Sequence, residues 1–185
     1  MADEIEIVDY EPNWPRLFEE ERGQLAHVLP ADQILAIEHA GSTAIPGLAA
    51  KPIIDIFVAV PSIGAARATL VEPIRTLGYV YWEENPERDR MFFVKGMPPY
   101  GERRTHHVHV FEPTSEVWQR ALIFRDYLRE HRDEAERYEQ LKRTLACAHR
   151  ADREAYTRAK DAYVKAVAQK ASDRAEIRAA AKHNT

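Results

Sequence analysis

A chain of 185 residues with 30 acidic and 26 basic side chains carries a formal charge of −4 at neutral pH, and its 45% apolar content is that of an ordinary globular domain. These values exclude collagen-like, mucin-like and wholly disordered chains. The acidic balance argues against a non-specific nucleic-acid binder.

In chain order, Ile5 to Val8 reads as a short strand, followed by a turn through Glu11-Pro12-Asn13. A helix is predicted from about Pro15 to Leu29, with Pro15 in the first turn, where its missing N–H costs nothing. Residues 34–39 and 52–60 are apolar runs bounded by turn formers and read as strands. The second is rich in Ile and Val and has only Asp55 as a polar interruption, which marks a central strand. A helix over 63–77 should stop at Gly78, and strands are predicted over 79–82, 91–95 and 105–111.

The hydrophobic period then changes from two to about 3.6. Val117, Ala121, Phe124 and Leu128 share one predicted helical face. Tyr138, Leu141, Leu145 and Ala148 share a second, and Tyr156, Ala159, Tyr163 and Val167 a third. Thr114 or Ser115 is placed to cap the first of these helices and Asp152 the last. This pattern is an α+β domain over residues 1–170, sheet-rich over 5–111 and helical over 112–168. The sheet is expected to give the helices their packing surface, and an alanine-rich, weakly helical or flexible tail occupies 171–185.

The stretch from Glu38 to Ile56, EHAGSTAIPGLAAKPIIDI, holds the densest chemistry. Gly41 lets backbone approach a phosphate, Ser42 and Thr43 add hydroxyls, and Lys51 adds a cation. The P-loop order of glycines, lysine and hydroxyl is absent, which argues against a Walker-type ATPase. Asp55, in an apolar strand, needs a hydrogen-bond partner, a counter-charge or a metal. With Glu38 it forms a candidate acid pair for a divalent cation that bridges phosphate oxygens.

In Thr105-His106-His107-Val108-His109, strand alternation puts His107 and His109 on one face and His106 on the other. Two imidazoles at that spacing can share a metal or hydrogen-bond a substrate, with Glu38 or Asp55 as third ligand. Such a donor set suits zinc, manganese or iron, whereas magnesium prefers oxygen. Arg103 and Arg104 are candidate phosphate contacts, and Arg88 and Arg90 are weaker ones. Trp14, Trp82 and Trp118 are expected in the core.

Residues 1–111 carry 10 basic and 17 acidic groups, and residues 112–185 carry 16 and 13, so a polyanion would be held by a local pocket rather than a long basic stripe. Cys147 alone allows no internal disulfide, and its helical context predicts a buried thiol. The N-terminal MADEIEIVDY does not read as a targeting leader, and no run is apolar enough to span a bilayer. The expectation is a cytoplasmic protein without membrane contact, either monomer or homodimer.

Four segments together resemble the GrpB family of the nucleotidyltransferase superfamily. They are IEHAGSTAIPGLAAKPIIDIFVAV at 37–60, HHVHVF at 106–111, FRDYLREH at 124–131, and the spaced Tyr138, Leu141, Lys142, Tyr156 and Lys160. The resemblance covers about residues 5–168. It implies a nucleotidyltransferase-like mixed sheet flanked by helices, with a Gly-Ser loop and a carboxylate strand that place a nucleoside triphosphate and magnesium or manganese. The implied reaction transfers a nucleotidyl group to an acceptor and releases pyrophosphate. Gly41 and Ser42 match the loop and Asp55 the first carboxylate, while Phe57 stands where the second is expected. On this basis Asp55 binds metal, Gly41 and Ser42 hold phosphate, and Lys51 with Arg103 neutralise developing charge. Glu38 or the His107/His109 pair replaces the missing acid, with a histidine as candidate base. The missing acid leaves two alternatives, phosphate-ligand binding without turnover and metal-dependent phosphohydrolysis.

Overall fold

The computed structural model describes residues 4–183, with side chains placed as far as residue 175. Helix α1 (Trp14–Val28) is followed by strands β1 (Ala36–Ala40) and β2 (Ile54–Ala59), and then by the short helices α2 (Ile63–Thr69) and α3 (Val71–Thr76). Next come β3 (Tyr79–Tyr81), β4 (Met91–Lys95) and β5 (His106–Phe111), and finally α4 (Glu116–Glu130), α5 (Arg132–Ala148) and α6 (Arg153–His183). The five strands form one mixed sheet in the order β1-β2-β5-β4-β3, antiparallel except for the central β2–β5 pair.

Alternation along the strands divides the sheet into two faces. Ile54, Ile56 and Val58 of β2, Val108 and Val110 of β5, and Met91 and Phe93 of β4 pack against Trp14, Phe18 and Leu25 of α1, Leu70, and Ile74 of α3. The opposite face carries Phe57, Ala59 and Phe111, which meet Trp118 of α4. Helices α4 to α6 pack chiefly on one another and on the β1–β2 connection, through Ile45, Leu48, Phe124, Leu128, Tyr138 and Val167. The sheet therefore gives the helical half only part of its packing surface, less than the sequence pattern predicts.

Several expectations need correction. Ile5 to Val8 forms no strand and contributes one bridge, Val8 to Ala50. Its partner segment carries Pro46 and Pro52, so no ladder propagates. The helix predicted over 63–77 breaks at Leu70, because Pro73 has no N–H for the carbonyl of Thr69 and its ring crowds that carbonyl. Gly78, at φ +82°, then ends α3 as predicted. Trp14 and Trp118 are buried, but Trp82 is 45% exposed just past the edge strand β3.

Helix α5 buries Tyr138, Lys142 and Ala146 and packs Leu141 and Leu145 half-buried beside them, while Ala148, expected on that face, and Cys147, expected to be buried, are exposed. Asp152 caps α6 by accepting from the Ala155 amide at 2.9 Å, whereas the Ser115 side chain makes no cap bond. Helix α6 runs on through His183, so part of the expected tail is helical, and residues 184 and 185 lie outside the described residues. Among the described residues, no helix is long and apolar enough to cross a membrane.

Candidate functional site

Register builds the centre of the site. Asp55 and His107 are direct partners across the parallel β2–β5 pair, and Phe57 pairs with His109 one step further along. All four side chains share a face, so the i, i+2 spacing of the histidines sets both imidazoles beside one carboxylate. Their ligand atoms lie within 4.8 Å of one another. Both strands carry these residues near their starts, where the 41–53 and 96–105 connections enter the sheet. Open parallel sheets more often bind ligands at the opposite end.

Loop and carboxylate fit tightly together. Gly41 adopts φ +68°, ψ −171°, and a Cβ there would stand 2.2 Å from Asp55 Oδ2. Glycine thus serves first to let the Asp55 carboxylate lie against the backbone of the loop. His107 Nδ1 meets Asp55 Oδ1 at 3.0 Å, while His107 Nε2 and His109 Nδ1 are buried without a hydrogen-bond partner. Burial pushes the Asp55 carboxyl up, but the His107 hydrogen bond and the nearby charges of His107, His109 and Lys51 outweigh it and hold the group at about 2. Burial lowers His109 to about 3, leaving it a neutral imidazole between Phe92, stacked at 4.5 Å, and Phe57, edge-on at 5.3 Å. One carboxylate and two imidazoles, each with a buried ring nitrogen that lacks a hydrogen-bond partner, fit a divalent transition metal.

A cleft of about 130 Å³ opens beside this cluster, and Gly41, Ser42, Thr43, Lys51, Asp55 and His107 line it together with Tyr138, Lys142, Tyr156 and Lys160. His109 completes the candidate metal-binding cluster without lining the cleft. Thr43 contributes little chemistry, since its hydroxyl donates to the Ile53 carbonyl at 3.3 Å and meets His39 Nε2 at 3.0 Å. Glu38 stands outside both cluster and cleft, where its carboxylate accepts from Arg125 Nη1 at 2.8 Å. Arg103 is exposed and Arg104 half-buried in the β4–β5 connection, and neither lines the cleft.

Two lysines of the helical half, Lys142 and Lys160, are drawn into the site. Lys142 is 1% exposed and donates to the Ala49 carbonyl. Burial lowers it to about 7, helped by the charges of Lys160, Arg143 and Lys51 and opposed by Glu139. Burial and Lys51 likewise lower Lys160 to about 7, against the pull of Asp55. Each lysine follows a tyrosine by four residues, in Tyr138-x-x-x-Lys142 and Tyr156-x-x-x-Lys160. The ammonium groups lie 4.9 and 4.2 Å from the two ring centroids. That repeated Tyr-x-x-x-Lys spacing on consecutive helices is the signal in the sequence that points to them.

The model of the GrpB protein family matches residues 4–170. A UPF0157 protein of Pseudomonas aeruginosa is 52% identical over 88% of this chain and 65% of its own length, and a UPF0157 protein of Bacillus subtilis is 40% identical over 90% and 47%. The chain thus spans between about half and two thirds of these relatives. A dephospho-CoA kinase of Mycolicibacterium paratuberculosis is 28% identical over 93% of this chain and 47% of the kinase. The crystal structure of the conserved protein GrpB from Enterococcus faecalis superposes with a TM-score of 0.79 at 37% identity, covering 91% of this chain and 98% of that one. Sequence match across nearly the whole domain and a shared five-stranded mixed sheet flanked by helices agree, and the chain belongs to the GrpB family.

Proposed function

We propose that this chain is a metal-dependent nucleotidyltransferase-like protein that takes the triphosphate of a nucleotide into the cleft and passes the nucleotidyl group to an acceptor hydroxyl. The carrying observation is the convergence of the Asp55–His107–His109 donor set with the Gly41-Ser42 loop and Lys51 around one opening. Asp55, His107 and His109 would hold the metal, with zinc, manganese or iron favoured over magnesium by the two imidazoles. When bound, it supplies Lewis-acid polarisation of a phosphoryl oxygen.

The chain's own groups do the rest. The Gly41 backbone and the Ser42 hydroxyl orient phosphate oxygens, and Lys51 offsets their charge. The acceptor oxygen bonds to the α-phosphorus, the bond from that phosphorus to the bridging oxygen breaks, and pyrophosphate leaves. The hydroxyl proton passes to water at the open side, where the Asp55 side chain is 30% exposed.

A second reading, binding or hydrolysis of a phosphorylated ligand without transfer, draws support from Phe57. Its ring packs 4.8 Å from Phe111 and 6.0 Å from Trp118, so the place of a second carboxylate is apolar. The test supplies each α-labelled nucleoside triphosphate with manganese, zinc or magnesium. Dephospho-CoA and CoA join the acceptor panel because of the kinase relative's name. Label should enter an acceptor with release of pyrophosphate, and Asp55→Asn should abolish both. Phosphate release without incorporation selects hydrolysis, and transfer undiminished in Asp55→Asn sinks the site assignment.

A further inference from the structure

Across the cleft from Asp55 and His107, helices α5 and α6 supply a set of groups that the metal cluster does not use. Lys51 and Lys160 flank the same ring, with their ammonium groups 5.5 and 4.2 Å from the Tyr156 centroid, and Lys142 lies 4.9 Å from the Tyr138 ring. The Tyr156 hydroxyl is buried without a hydrogen-bond partner, and Ser42 stands within bonding reach of the Tyr138 hydroxyl. Among the twelve lining residues Asp55 is the sole acid, and its carboxylate is already engaged by His107. Three lysine side chains and one carboxylate, itself engaged by His107, line a confined space walled by aromatic rings, and such a lining is complementary to an anion that offers several oxygens.

We propose that Lys51, Lys142 and Lys160, with the Tyr156 hydroxyl, form a pyrophosphate subsite that holds the end of the ligand's polyphosphate away from the metal cluster. This rests on the triphosphate reading above and adds to it. The sheet half holds the metal and the reacting phosphate, while the helical half holds the leaving pyrophosphate. Two linked phosphates match the set better than one, because the lysines come from three separate segments, the β1–β2 connection, α5 and α6. Lysine ammonium groups also bind phosphoryl oxygens as point charges, without the planar fork of arginine.

The test is calorimetric titration of inorganic pyrophosphate, and separately of orthophosphate, into the full chain with chelator present. Pyrophosphate should bind saturably without metal, at least tenfold tighter than orthophosphate, and should raise the melting temperature. Lys160→Met should weaken that binding at least tenfold and remove the ligand-induced rise in melting temperature. Without ligand it should melt no lower than the parent, because a repelling charge has gone. Should Lys160→Met fail to fold, Lys51→Met carries the same expectation from a different segment. No pyrophosphate binding, or equal binding by parent and variants, overturns the subsite. Metal-free pyrophosphate binding in a protein that transfers no nucleotide leaves the subsite standing and removes the transferase reading. Transfer that is indifferent to Lys160→Met does the reverse.

Discussion

Lys95 and Lys142 are both withdrawn from water, on opposite sides of the same sheet, and of the two only Lys95 is hydrogen-bonded to a carboxylate among the described residues. Lys95 Nζ donates to both oxygens of Glu21 at 2.8 Å, above the Tyr79 ring, and Glu21 is itself 3% exposed beneath α1. That is a closed pair, with cation and carboxylate buried together. Lys142 donates to a backbone carbonyl and has two further lysines, Arg143 and Glu139 as charged neighbours. The contrast separates a lysine whose charge is paired inside the packing from one that borders the cleft.

The largest expected effect tests the open side of the contrast. Lys142 titrates at about 7 in the folded chain against 10.5 when exposed, so between those values the unfolded chain holds a proton that the folded chain has lost. Stability therefore rises with pH across this window and is flat below it. Lys142→Met abolishes the contribution. Urea unfolding of parent and variant at pH 7 and pH 10 should show the parent gaining several kcal/mol, up to about 5, relative to the variant. Comparing the two pH values cancels the lost bond to Ala49. A constant difference between the proteins would mean that Lys142 keeps its proton and that the cleft carries no electrostatic strain.

The closed side breaks in the other direction. Glu21→Gln leaves Lys95 half-buried without a carboxylate and should cost about 3 kcal/mol in chemical denaturation. Because Glu21 lies on the α1 face, affinity for pyrophosphate should not move. A loss of affinity comparable to that of Lys160→Met would show that the two sides of the sheet are coupled.

How far the site is legible in the sequence follows from the same division. Strand alternation is a two-residue period with no tolerance, so placing His107 and His109 on one face is readable from spacing alone, whereas the choice of Asp55 over Glu38 beside them is made by the β2–β5 register. The sheet order is less so, since strands separated by long connections leave no local trace of which neighbours pair. Glu38 reads as an available acid because its partner, Arg125, lies 87 residues away. Lys142 and Lys160 enter the sequence reading only as part of the family pattern, because a helical stripe is assigned by its apolar members. In α5 the buried face takes in Lys142 and Ala146 as well as Tyr138, with Leu141 and Leu145 half-buried beside them. The break at Pro73 is a local rule that the hydrophobic period of 63–77 conceals.

The smallest effect is expected at Gly41, where loop and sheet meet. Its φ of +68° with ψ of −171° is a region that residues with a side chain avoid, and Ala would add a Cβ 2.2 Å from Asp55 Oδ2. Backbone strain alone costs about 1–3 kcal/mol, small beside the change expected for Lys142. The clash falls on one carboxylate, however, so the functional result should exceed the structural one. Zinc or manganese titrated into Gly41→Ala should bind at least tenfold more weakly than into the parent, while metal-free pyrophosphate affinity changes little because the lysines stand on the far wall. Equal metal affinity in the two proteins would show that Asp55 needs no fixed position against the loop, and would detach the Gly-Ser turn from the metal cluster. A parallel loss of pyrophosphate affinity would show instead that the cleft is organised as one unit, with no division of labour between its two walls.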